Sequence, residues 1–187
     1  ICGKVSGSLE LIDFDRNAEV IYRAWCELVD EEYPGLSDKL SVVKTPRPGY
    51  HVRYRCKIEI PGNDDLAKEW VADPEAKDGF KKTVIIQTRG EGGYALAPGC
   101  PPECHDTKQL YVWHSGPKVQ DAPTIAAEER DCLLRAARFF DRSDDEMKPK
   151  VKAAPSGPSV FDRASTPNGT DLRPGDVGQH PGQFLRA

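Results

Sequence analysis

Two periods of apolar and polar residues alternate along this chain. Residues 8–14, Ser-Leu-Glu-Leu-Ile-Asp-Phe, form an apolar run ending in acids and predict a strand. Over residues 17–32 the period changes. Ala18, Ile21, Tyr22, Trp25, Leu28 and Val29 recur at three- and four-residue steps, which is one face of a helix; Asn17 stands where it would cap it and Tyr33-Pro34-Gly35 where it would stop. Residues 40–45 and 50–56 predict two strands joined by the turn Pro46-Arg47-Pro48-Gly49. Residues 84–89, 94–97 and 110–113 predict further short strands. Thr124 is placed to cap a last helix with the stripe Ile125, Leu133, Ala136, Ala137 and Phe140. Strands and helices in this order, without regular strand–helix–strand alternation, predict an α+β domain over residues 1–141.

Beyond that the pattern dissolves. Residues 142–187 contain six prolines and five glycines with only scattered large apolar residues, too little to offset chain entropy, and read as a linker or disordered tail. The chain begins at Ile1, so it is expected to be a fragment. No apolar run approaches the roughly 20 residues that span a bilayer, and the expectation is a cytoplasmic protein with no membrane partner. The six cysteines lack the spacing of a small disulfide framework and are expected to be reduced, with Cys26 and Cys132 in apolar helical patterns. A net charge of −4 argues against whole-surface attraction to nucleic acid. One stretch departs from it: Lys44, Arg47, Arg53, Arg55 and Lys57 follow one another with no acid between them.

Four stretches could carry chemistry. In Leu11-Ile12-Asp13-Phe14-Asp15 the acids are two apart, so a strand projects both from one face, where they repel unless a cation lies between them. Hard divalent ions such as Mg²⁺ or Mn²⁺ take such oxygens; equally, acids are ordinary just before a helix. In residues 50–55 the same rule sends His51, Arg53 and Arg55 one way and Tyr50, Val52 and Tyr54 the other. Guanidinium forks suit phosphate oxygens, although an edge hairpin with a solvated cationic face would have this pattern too. Gln87 and Arg89 share a strand face ahead of the glycine-rich Gly90-Glu91-Gly92-Gly93. Cys100, Cys104 and His105 suggest zinc, but only Cys56 and His114 are near enough in sequence to complete a set of four, so zinc is the weaker reading.

Taken in order, these segments resemble the bifunctional primase–polymerase domain of the archaeo-eukaryotic primase superfamily, found in plasmid and phage replication proteins. Gly3-Lys-Val-Ser-Gly7-Ser-Leu-Glu-Leu-Ile-Asp13-Phe-Asp15 looks like the family's first motif. Thr45-Pro-Arg-Pro-Gly49-Tyr50-His51 looks like its second, and Ile85-Ile-Gln87-Thr-Arg89-Gly-Glu-Gly-Gly-Tyr94 with Ala97-Pro98 like its third. Cys104-His105, Tyr111 and Gly116-Pro117 are similar to the stretch that follows, so the likeness covers roughly residues 3–140.

The resemblance implies a primase-type fold, a mixed sheet flanked by helices, lacking the family's N-terminal segment. It implies template-directed nucleotidyl transfer: Asp13 and Asp15 on Mg²⁺ or Mn²⁺, His51 on the triphosphate, and Arg89 with Arg47 or Arg53 assisting. The partners implied are single-stranded DNA, nucleoside triphosphates and a C-terminal helicase module, for which Leu172-Arg173-Pro174-Gly175-Asp176 looks like the start. One residue departs from the pattern. Gln87 stands where the third motif supplies an acidic ligand, which makes a weakened nucleotide- or DNA-binding module the alternative.

Overall fold

The apolar run near the start becomes β1 (Leu9–Phe14), buried along nearly its whole length. A strand hidden on both faces belongs inside a sheet, and that is where β1 lies in the computed structural model, which describes residues 1–149. After it come α1 (Ala18–Glu32), the single turn α2 (Leu36–Lys39), β2 (Ser41–Thr45) and β3 (Gly49–Cys56). Then follow β4 (Asp65–Ala72), β5 (Phe80–Arg89), β6 (Val112–Ser115), β7 (Thr124–Ile125) and α3 (Ala127–Arg138). The sheet order is β4-β5-β1-β3-β2-β6 with every neighbour antiparallel; the two-residue β7 adds a parallel pair to β3. The architecture is α+β.

Both long helices pack on one face of the sheet. Phe14, Val52 and Tyr54 from the strands meet Trp25 and Val29 of α1 and Leu133 of α3, all fully buried. The Trp25 indole donates to the Leu133 carbonyl at 3.0 Å, joining the helices, and Phe14 meets the Trp25 ring edge-on at 5.4 Å. Burying each such side chain stabilises the fold by roughly 1.5–3 kcal/mol. Also on this face, Glu10 is completely buried and takes both forks of Arg130 at 2.6 and 2.8 Å together with the Tyr54 hydroxyl at 2.8 Å. Nothing local in the sequence announces that pair.

Several expectations are corrected. Residues 94–97 form no strand; β5 already has β1 and β4 on its two sides, so no edge is open to them. Thr124 does not cap the last helix but lies in β7, and the Glu129 carboxylate caps instead by accepting from the Ala126 N–H at 2.7 Å. Asn17 holds the N-cap position of α1 in the left-handed region (φ 48°) and makes no side-chain cap. β4 is a strand the periodicity did not indicate, because Lys68 and Glu69 interrupt its apolar run. All six cysteines are free, with Cys132 buried and Cys26 half-buried.

The chain stays on the sheet past residue 141. Arg142 donates its backbone N–H to the Lys68 carbonyl at 2.7 Å, and the Trp70 indole donates to the Asp144 carbonyl at 3.1 Å. The expected tail from residue 150 onward, with the stretch at 172–176, lies outside the described residues. Among the described residues no helix is long and apolar enough to cross a membrane.

Candidate functional site

The face of the sheet away from the helices carries the chemistry. Asp13 on β1 lies directly opposite Gln87 on β5 and His51 on β3. Opposed residues of an antiparallel ladder project to the same side, so the three form one crosswise row. β3 is therefore not an edge strand. His51 and Arg53 are buried, which removes the reading of a solvated cationic face.

Glycine sets the closeness of one corner. A Cβ at Gly49, where β3 leaves its turn, would come within 2.6 Å of both the Phe14 carbonyl and the Thr45 hydroxyl. Only glycine lets the hairpin turn approach the end of β1 this tightly, and that end is where Asp15 begins.

The row has a defined hydrogen-bond order. Arg53 donates from Nη2 to the Leu96 carbonyl at 2.8 Å and to His51 Nδ1 at 3.0 Å. A guanidinium only donates, so Nδ1 accepts and neutral His51 carries its proton on Nε2. That Nε2 stands 3.3 Å from Asp13 Oδ1 without completing a hydrogen bond, and Oδ1 is left buried with no donor. The other oxygen, Oδ2, has the Arg89 guanidinium at 3.7 Å and the Gln87 amide at 3.5 Å. The same amide nitrogen lies 3.3 Å from Asp15 Oδ2. Gln87 thus bridges the two carboxylates with N–H groups.

Electrostatics follow from this crowding. Partial loss of water, and then the charge of Asp13, push the Asp15 carboxyl above its ordinary 3.8, with the Gln87 amide opposing the shift. Burial pulls the Arg53 guanidinium down to about 10, although Asp13 works against it. Arg53 Nη1 is also buried without a partner. One oxygen of Asp13 and one nitrogen of Arg53 are thus buried on this face without a hydrogen bond.

No protein-family model matches this chain, and no curated protein does either.

The other expected residues are less closely gathered. Arg47 sits in the β2–β3 turn, at the Asp15 end of the sheet, exposed and ion-paired with Asp106. Arg55 turns away to the Ser6 and Gly7 carbonyls. Glu91, the one acid near Gln87 in sequence, accepts from the Lys4 N–H at 2.6 Å and stays out of the row. Cys100 is half-buried and Cys104 exposed, while His105 Nδ1 engages the Thr107 hydroxyl at 2.9 Å. Among the described residues no three His, Cys, Asp or Glu side chains are grouped to hold a metal ion, so neither the zinc set nor the acidic pair is complete by itself.

One residue gains a role that the spacing did not suggest. Tyr111 lies against the His51 ring, centroids 5.7 Å apart, and the His105 ring meets its edge at 5.9 Å. With the Leu96 carbonyl it brings the two ends of the 96–111 stretch against the basic half of the row. The usable sequence signal was its position in the stretch after the third motif; its contact with His51 depends on a loop return that periodicity does not encode.

Proposed function

We propose that this row is a nucleotidyl-transfer site of the primase–polymerase type, on a primase-type fold, acting on nucleoside triphosphates with single-stranded DNA as template. The observation that carries the reading is the register: Gln87, Asp13 and His51, from three separate stretches of chain, stand side by side on adjacent strands. The motif order, which the residues alone left ambiguous, corresponds to one acidic column next to one basic column.

The donor set suits a hard divalent ion in part. Asp13 Oδ1 lacks any donor, Asp15 lies within reach of the same amide, and the side-chain carbonyl of Gln87 is a neutral third oxygen if the amide turns. Asp13 and Asp15 would hold Mg²⁺ or Mn²⁺, whose chemistry when bound is to neutralise triphosphate charge and ease deprotonation of a 3′-hydroxyl. The protein supplies the rest. Arg53 fixes the tautomer of His51, His51 offers an N–H donor toward the phosphates, and Arg89 adds a cation on the far side of Asp13.

One observation favours the weaker alternative, a nucleotide- or DNA-binding module. Gln87 already donates to one oxygen of each carboxylate, so an ion must displace hydrogen bonds as well as water. Primer extension by the full chain with Mg²⁺ and with Mn²⁺ tests the proposal. Product formation is expected, stronger with Mn²⁺ and reduced by about a hundredfold or more in Asp13→Asn. No product with either metal, from the wild type and from Gln87→Glu alike, overturns nucleotidyl transfer.

A further inference from the structure

The row does not stop at His51. Val43 on β2 is paired with His51, and Trp113 on β6 is paired with Val43. Gln87, Asp13, His51, Val43 and Trp113 therefore share one face across the sheet: the last step passes a bulge between Val42 and Val43, and the next residue, His114, lies against Tyr50 on the opposite face. Trp113 lies three strand spacings from Asp13, about 14 Å at roughly 4.8 Å each, with the Tyr111 ring against His51 between them.

Trp113 is not placed as a core residue. The residue is 40% exposed, yet the ring is fixed: the indole N–H donates to the Gly116 carbonyl at 3.2 Å, and the Lys118 ammonium sits 3.8 Å from the ring centroid. A large, partly exposed aromatic side chain fixed in one orientation, with a lysine ammonium resting on one face of its ring, offers a stacking surface to an unpaired base once that ammonium swings from the ring to the adjoining phosphate. The ordinary reading, an aromatic decorating an edge strand, accounts for the cation contact but not for the alignment with Asp13 and His51.

We propose that Trp113 and Lys118 form a stacking platform for an unpaired nucleobase whose phosphate faces Lys118. The choice of ligand rests on the nucleotidyl-transfer reading. The platform itself does not depend on a metal or on turnover.

The test is anisotropy of a fluorescein-labelled oligothymidylate with the full chain in EDTA. Trp113→Leu should weaken binding by about tenfold, Trp113→Phe by no more than about threefold, and Lys118→Met should lower the salt dependence by about one counterion. The matching duplex, whose bases are already stacked, should not compete. Should Trp113→Leu fail to fold, Lys118→Glu, at an exposed position, carries the test through an expected loss of about tenfold. Unlabelled dTTP distinguishes the source of the base. Displacement that needs Trp113 assigns it to a free nucleotide, and absence of displacement assigns it to the strand; both support the platform. Three results overturn it: no oligonucleotide binding by the wild type, Trp113→Leu binding within twofold of wild type, or Phe losing as much as Leu. Failure of primer extension with Trp113-dependent binding intact would sink the catalytic reading and leave the platform standing.

Discussion

Glu10 and Asp13 are both buried carboxylates on β1, one facing the helices and the other facing the site, and they are provided for very differently. Glu10 accepts from both nitrogens of the Arg130 fork and from Tyr54, so each oxygen has a donor. Asp13 has a histidine, an arginine and an amide around it, and still one of its oxygens has no hydrogen bond. A fully paired buried charge fastens a strand to a helix. An incompletely paired one costs stability and persists where it serves something else. The contrast separates an acid whose hydrogen bonds are complete from one whose hydrogen bonds are not, on the same strand.

The largest expected effect lies on the helix face. Arg130→Met leaves Glu10 buried without its partner and should cost about 3–5 kcal/mol in urea unfolding; adding Glu10→Leu and Tyr54→Phe should recover most of that loss. Asp13→Asn should behave in the opposite way, changing stability by less than about 1 kcal/mol, because the charge it removes was poorly satisfied. A loss at Asp13 as large as that at Arg130 would break the comparison.

Gln87→Glu sharpens it. A third carboxylate in the row should tighten Mn²⁺ binding by about tenfold in calorimetry and lower the melting temperature when metal is absent. Unchanged affinity would remove position 87 from any metal shell.

The smallest effect belongs to His114, whose ring lies against Tyr50 at 5.4 Å and Tyr22 at 6.5 Å, on the helix side. Burial, followed by the charge of Lys44, holds its pKa below the ordinary 6.5, with Glu19 opposing. Because the folded value is the lower one, the contribution to stability is present above 6.5 and is lost as pH falls through the folded value. On acidification the melting temperature of the wild type should drop slightly more than that of His114→Gln.

The parts legible in the sequence are those governed by a local period. Alternation in residues 50–55 sorted His51 and Arg53 from Tyr50, Val52 and Tyr54, and the sheet keeps that sorting. The same rule put Gln87 and Arg89 on one face and Asp13 with Asp15 on another strand's face, without saying that the faces adjoin. What remained hidden depends on distant pairing. Glu10 meets Arg130 across 120 residues of chain, a contact no window of sequence contains. β4 was missed because an edge strand keeps charged side chains such as Lys68 and Glu69, and these mask its apolar positions. Trp113 stood out only once three strand pairings had aligned it with Asp13.

The backbone bond from Arg142 to β4 has a consequence for how copies of this protein meet. β4 is an outer strand of the sheet, and an uncovered outer strand invites another chain to add itself as the next one. Arg142, bridged to Glu69, and Lys148, over the Trp70 ring, sit along that border and stand in the way of such an addition. Replacing Arg142 and Lys148 with apolar residues would thus be felt first as self-association at high concentration, before any loss of the sheet itself.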